Sequence, residues 1–235
     1  MSFDSAVFYK ALLSALKYAP ATIKLTIIVV IAGAILGTIS GIIRFYKIPV
    51  ISQILTVFTT IYQGIPTMVA LVVFNIIYLT NFDSFAKFFH IKTDISDVNI
   101  VLVAYIVLIL GLSCSVSETS LGALNSVDTL QFEAGYTIGL TKRQTFVRII
   151  FPQIIPVMLP MLTNSTVGTI KGSNLISQIG ITEIMVAAIT PCVASYRFLE
   201  GYIAAALVYW LITIIFETVL KLLERRSKRF RYDRA

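Results

Sequence analysis

Five polar side chains interrupt otherwise apolar runs: Ser113 and Ser115 in one, Asn164 and Ser165 in another, and Ser173 just beyond it. Hydroxyls and a carboxamide can donate to a carboxylate and accept from an ammonium. In a site closed to lipid they could therefore line a path for a polar solute. The same groups can instead tie helices together or bond a carbonyl one turn back, and both readings stay open. Covalent and metal chemistry has little to work with. His90 is the only histidine, and a single imidazole builds neither a proton relay nor a metal site. Cys114 and Cys192 lie far apart without metal or CxxC spacing, so two free thiols are expected. No Gly-x-x-x-x-Gly-Lys-[Ser/Thr] run is present to cradle nucleotide phosphates.

A second kind of candidate is mechanical. Residues 127–152 read VDTLQFEAGYTIGLTKRQTFVRIIFP, a polar and charged stretch between apolar segments. A short helix is predicted over Leu130–Leu140, ended by Gly139 in a left-handed turn. Lys142 and Arg143 follow, and a second helix from Gln144 runs into the next apolar segment. The result is either a rigid lever on the membrane surface or a plain surface loop.

These candidates must be positioned by membrane-spanning elements. The 235 residues are 57% apolar and only 13% charged, with a mean hydropathy of +0.87. A soluble domain carries about 25% charged residues, so most of this surface faces lipid. Spans are predicted over 25–43, 57–80, 99–116, 149–170 and 201–223, each near the length a bilayer requires. Residues 4–18 read as a short amphipathic helix in the interface, with Lys10, Lys17 and Lys24 recurring every seven residues. Gly33, Gly37 and Gly41 fall on one side of the first span and let another backbone come close. Gln63-Gly64-Ile65-Pro66 interrupts the second span, where proline removes a helical hydrogen bond. Pro152, Pro156 and Pro160 share a side of the fourth span. The polar loop 81–98 carries His90, and 171–200 reads as short segments near one surface. Glu118 ends the third span in a structural role.

Residues 221–235 hold seven basic residues against two acids. Directly after a span, such a tail reads as a cytoplasmic anchor to anionic lipid and not as a nucleic-acid site. Arg44, Lys47, Lys142, Arg143 and Arg148 then share its side. Five spans leave the N-terminus outside, and no cleaved signal is expected.

Several segments carry a family resemblance. Glu133-Ala134-Gly135, then Gly139 and Ile150-Phe151-Pro152, resembles the Glu-Ala-Ala coupling loop of ABC-importer permeases, with Gly135 in place of the second alanine. YQGIPTMVA (62–70) resembles that family's Arg-Gly-Thr-Pro segment, with Gln63 for arginine and Ile65 for threonine. SVSETSLGALNSV (115–127) keeps Glu118 and Ser126-Val127 of another segment but has Leu121 for its arginine. KGSNLISQIGITEI (171–184) keeps Lys171, Leu175, Ile179, Gly180 and Glu183, and LLERRSKRF resembles the family's tail. The chain is thus similar, over nearly its whole length, to the membrane subunit of a polar amino-acid ABC importer.

The resemblance implies an all-α permease domain over 1–235 in the bacterial cytoplasmic membrane. It divides into an interfacial helix (1–19), a transmembrane core (20–223), a coupling loop (127–148) and a basic cytoplasmic tail (224–235). It implies a subunit without chemistry of its own: ATP and Mg²⁺ belong to separate ATPase subunits, and this chain needs no cofactor. An extracytoplasmic amino-acid-binding protein delivers substrate, and a second identical or similar permease completes the pathway. Glu133, Ala134, Gly135 and Gly139 would couple to the ATPase. Related basic amino-acid permeases place an acid beside the Asn164 position, where this chain has Ser165, which speaks against a cationic substrate. Two other classes compete. A secondary transporter needs ionisable residues in mid-span, and none is evident. A membrane enzyme needs paired carboxylates, histidines or a nucleophile with its base.

Overall fold

In a bilayer, backbone polar groups must be satisfied within the segment, and helices do this for long apolar runs. The computed structural model describes residues 3–88 and 99–232, with side chains described for 3–82 and 99–227. In chain order the α-helices are α1 (Ser5–Phe45), α2 (Ile51–Gln63), α3 (Thr67–Phe88), α4 (Val101–Asn125), α5 (Thr129–Thr137), α6 (Lys142–Thr145), α7 (Phe151–Gly172), α8 (Ile184–Ile189) and α9 (Phe198–Tyr232). A π-helical turn, Phe146–Ile150, joins α6 to α7, and 3₁₀ turns cover Ser173–Ile179 and Thr190–Ser195. Helix α3 runs to Phe88, so the expected loop starts later than residue 81. His90 and the rest of that loop lie outside the described residues, as do the side chains of the basic tail from Lys228 onward.

Among the described residues, four helical segments are long and apolar enough to cross a membrane, and the bent pair α2–α3 makes a fifth if counted as one span. This is the all-α membrane architecture expected. The chain forms two compact units and passes between them five times. The first holds residues 1–30, 64–111 and 169–213; the second holds 31–63, 112–168 and 214–235.

Two elements differ from expectation. Residues 5–19 are not a separate interfacial helix but the start of the 41-residue α1, which continues through Pro20. The reason is a stripe of small buried side chains: Ala11, Ala15, Ala19, Thr22 and Thr26, spaced three or four apart. Val7 and Leu12 pack beside that stripe, while Leu13 and Leu16 are exposed. The break after Gln63 is also larger than a kink, since α2 and α3 meet at 108°. Pro66 lacks an N–H and disfavours helix at Ile65, and Gly64 adds freedom beside it.

In the first unit, Asp4 caps α1, its Oδ1 accepting from Ala6 N (2.9 Å) and Val7 N (3.2 Å). Asp4 N donates to Glu200 Oε1 at 3.0 Å, and Arg197 lies 3.5 Å from Asp4 and 3.4 Å from Glu200. The Val7 amide, with Ala6 and Arg197, holds the Asp4 carboxyl below the usual range. Ala11, Cys192 and Ala204 form a small core with Val7, Phe8 and Leu12. Gly201 is needed there, because a Cβ would meet Cys192 Sγ at 2.9 Å. Glu183, almost fully buried, caps α8 through Met185 N and Val186 N and accepts from the Tyr209 hydroxyl. Both cysteines are free and buried.

In the second unit, α1 meets α4 through the glycines anticipated for close packing. A Cβ on Gly33 would lie 2.8 Å from Leu112, on Gly37 2.6 Å from the Ser113 carbonyl oxygen, and on Gly41 2.6 Å from Ser120 Cβ. Ala123, Leu124, Ile150 and Ile154 form the core, covered by Phe45, Phe132 and Phe146 among others. The α1–α2 turn holds two non-glycine residues at positive φ, Lys47 (49°) and Val50 (66°). For β-branched Val50 this is strained by about 1–3 kcal/mol.

Candidate functional site

The polar stretch 127–152 folds as a helical hairpin. Asp128 caps α5, its Oδ1 accepting from Leu130 N at 2.9 Å. The helix closes in a Schellman turn: Leu140 N donates to Gly135 O (3.0 Å) and Gly139 N to Tyr136 O (2.9 Å), with Gly139 at φ 80°. The left-handed glycine expected from sequence is therefore present. Thr141 and Gln144 make a reciprocal capping box at the start of α6, with Gln144 Oε1 accepting from Thr141 N at 2.9 Å. The second helix thus begins at Lys142, two residues before the expected start. It continues through the π turn into α7, where Phe151 N bonds Phe146 O. Pro152 offers no N–H to the Arg148 carbonyl, and a wider turn there accommodates the missing bond.

One departure from the family pattern acquires a physical reason. A Cβ at Gly135 would lie 2.5 Å from Thr145 Cγ2 and 2.7 Å from its Oγ1, and Thr145 is fully buried. Glycine at 135 lets α5 lie directly on α6. Gly135→Ala is expected to destabilise the hairpin by about 1–3 kcal/mol, and adding Thr145→Ala should recover most of the loss. Limited proteolysis between residues 138 and 141 reads this out. Equal cleavage of wild type and Gly135→Ala would contradict it.

The hairpin has an anchored face and a free one. Phe132 stacks on Phe45 at 6.0 Å with planes 22° apart, and Gln131 Oε1 accepts from Gln153 Nε2 at 3.4 Å. Tyr46 lies 6.0 Å from Phe146, and burial, with Tyr136 adding, pushes the Tyr46 hydroxyl upward. On the other side Leu130, Glu133, Ala134, Tyr136, Thr137 and Ile138 are exposed, Ile138 by 72%. Of the four expected coupling residues, Glu133, Ala134 and Gly139 stand on the open side, whereas Gly135 serves the internal contact. An exposed helix with an apolar edge on a braced mount suits insertion into a groove of another protein.

The five polar candidates divide between the units. Ser113, Ser115, Asn164 and Ser165 belong to the second, and Ser173 to the first. Ser113 is nearly buried, with its carbonyl against Gly37. Ser115 and Ser165 are half-buried, and Asn164 is exposed on α7. Ser173 is fully buried and donates to Ile170 O at 2.7 Å. Thr163 and Thr166, beside Asn164, donate to the carbonyls of Leu159 and Leu162.

Sequence reasoning missed Arg44 as more than a flanking charge. It is 9% exposed, pairs with Glu118 at 2.8 Å, and donates to Ser117 Oγ (3.0 Å) and Thr56 Oγ1 (3.1 Å). The structural role expected for Glu118 is thus filled from α1. The signal available was Leu121, which leaves that carboxylate without the arginine one turn along its own helix.

The described residues fold as an all-α protein with several apolar helices long enough to cross a membrane and a hairpin braced against them. The chain belongs to the family of binding-protein-dependent transport system inner membrane components, whose model matches residues 13–229. It is 33% identical over 213 residues to the probable amino-acid permease protein YxeN of Bacillus subtilis, covering 90% of this chain and 91% of that one. It is 29% identical to the L-cystine transport system permease protein TcyL of the same organism, over 90% of this chain and 86% of the other. Among solved structures, an amino acid ABC transporter crystallised with histidines superposes with a TM-score of 0.78 at 25% identity, over 96% of this chain and all of that one. The MetNI methionine transporter shares the fold, with a TM-score of 0.73 at 12% identity over 96% of this chain and 99% of the other.

Proposed function

We propose that this chain is the permease subunit of an ATP-driven importer of polar amino acids, working beside a second identical or similar copy. The observation that carries the coupling reading is the braced hairpin. Helix α5 is fixed by the Schellman turn, the capping box and the Gly135–Thr145 contact, while its Glu133 side is open. A separate ATPase holding ATP and Mg²⁺ docks on that side. Its closure around nucleotide shifts α5, and the paired permeases open toward an extracytoplasmic binding protein that delivers the substrate. The amino-acid assignment rests on what the relatives are named for transporting.

Asn164 and Ser165 are the residues of this chain best suited to meet the zwitterion, with Ser113 and Ser115 as further polar groups of the same unit. Ser173 serves the fold. With Ser165 beside Asn164, a cationic side chain has no carboxylate partner there, and an unpaired charge away from water is costly. Neutral amino acids are the expected substrates. The test is uptake by proteoliposomes containing the full complex with its binding protein. Saturable uptake of neutral amino acids with little arginine supports the reading, and saturable arginine uptake with little of any neutral one overturns it.

The orientation places the hairpin and the C-terminus in the cytoplasm, supported by the basic tail and by Lys142, Arg143 and Arg148. Lys228→Cys is expected to resist impermeant thiol reagents in intact cells and to react after lysis. The buried native thiols leave this reporter clean. Labelling from outside would reverse the orientation.

A further inference from the structure

Three consecutive residues, the last two of α1 and the one after it, touch four elements of the second unit. Arg44 reaches α2 through Thr56 Oγ1 (3.1 Å) and α4 through Ser117 Oγ (3.0 Å) and Glu118 (2.8 Å). Phe45 stacks on Phe132 of α5. Tyr46 meets Phe146 of the π turn. At the centre of these contacts Arg44 is buried, while Thr56 and Glu118 stand at the edge. A guanidinium has five donors in a rigid fork, and here that fork spans two helices at once. Ser117 also bonds Ser40 on α1 at 2.9 Å, one turn before Arg44, so α1 and α4 are tied twice. Thr56 passes its own hydrogen to Ser52 O at 2.8 Å, which orients its lone pairs for Arg44. The turn that follows holds Lys47 and Val50 at positive φ, so the short link to α2 has little freedom to absorb movement.

We propose that Arg44, Phe45 and Tyr46 form a transmission joint through which displacement of α5 reaches α2 and α4, with Arg44 as its positioning residue. The inference rests on the reading of α5 as the ATPase-docking helix. A push on α5 moves Phe132 against Phe45. The adjacent Arg44 is rigidly bonded to two other helices, so the displacement is shared between them instead of being lost in α1. The covalent route from α6 into α7 then has a parallel, non-covalent route into α2. Arg44→Gln keeps hydrogen-bonding capacity but loses the charge and the fork, and Thr56→Val cuts only the arm to α2.

The test uses the full complex in proteoliposomes, measuring ATPase co-purification, ATP hydrolysis without binding protein, its stimulation by loaded binding protein, and substrate imported per ATP. In Arg44→Gln the ATPase should co-purify and unstimulated hydrolysis persist, while stimulation and import per ATP fall about tenfold. Arg44→Lys should restore only part of this, because an ammonium cannot span both helices as a fork. Thr56→Val should show a smaller loss of the same kind. A double-mutant cycle of Phe45→Leu with Phe132→Leu should be non-additive in stimulation. Unchanged stimulation in both Arg44→Gln and Thr56→Val overturns the joint, as does a loss that simply tracks loss of the ATPase subunit. If Arg44→Gln fails to insert, Thr56→Val decides alone, since Thr56 is exposed and its change leaves the Glu118 pair in place. Glu133→Arg run alongside separates the two readings. If it is defective while the Arg44 series is normal, only the joint falls; if it is neutral, the docking role of α5 falls.

Discussion

Gly139→Val and Glu133→Arg should each leave the permease in the membrane yet separate it from its ATPase. Gly139 sits at φ 80° with open space around its Cα. A valine there meets no neighbour; the cost is conformational, about 1–2 kcal/mol or more for a β-branched residue in left-handed geometry. The Schellman turn then opens, and α5 loses its fixed angle to α6. Glu133 acts differently. It is exposed, and among the described residues its side chain has no hydrogen bond or ion pair, so reversing its charge leaves the hairpin intact. Any effect must come from the docking partner. Purified complexes should lose the ATPase subunit or show about tenfold less stimulation by loaded binding protein. Normal transport by both variants would remove α5 from the mechanism.

Gly37→Val should have the largest effect on folding. The new Cβ would lie 2.6 Å from the Ser113 carbonyl oxygen and 2.6 Å from Val116 Cβ. A backbone carbonyl cannot rotate away as a side-chain tip can, so α1 must separate from α4. That separation also strains the Ser40–Ser117 bond, one turn along. A loss of about 3 kcal/mol or more is expected, the upper range for overpacking a filled contact. The control is built in. Gly122 lies on α4 with nothing within 4 Å of a Cβ, so Gly122→Ala should hold or raise stability by about 0.5–1 kcal/mol. Thermal unfolding of the detergent-purified subunit distinguishes the two. A Gly37→Val protein that melts like wild type would contradict the packing.

The elements legible in the sequence were those set by local rules. Spans followed from apolar length, the α1–α4 contact from glycines four apart, and the end of α5 from a single glycine before two basic residues. What escaped depended on neighbours. The start of α1 was read from lysines recurring every seven residues, whereas alanines and threonines carry its buried stripe; residues that small contribute little to an apolar pattern. The 108° turn between α2 and α3 needed more than a proline to foresee, because a helix can also run on through proline, as α1 does at Pro20. Gly135 looked like a departure until Thr145 supplied the other half of the contact. Arg44 looked like a flanking charge because no sequence rule says that a basic residue after a span turns inward. Of the polar candidates, Ser173 bonds the Ile170 carbonyl near the end of α7, a choice that side-chain geometry makes and composition does not.

The π turn at Phe146–Ile150 sets the phase of everything after it. An α-helix advances about 100° per residue, so one extra residue in a turn rotates the remainder of the helix by that amount. The face of α6 that seats Thr145 beneath Gly135 and the face of α7 that carries Asn164 are therefore not on one continuous helical register. Removing a single residue from 146–150 would convert the turn to α-helix and swing Asn164 and Ser165 about a quarter of a circle relative to α6. The length of this five-residue turn thus works as an angular offset between α6 and the polar groups on α7.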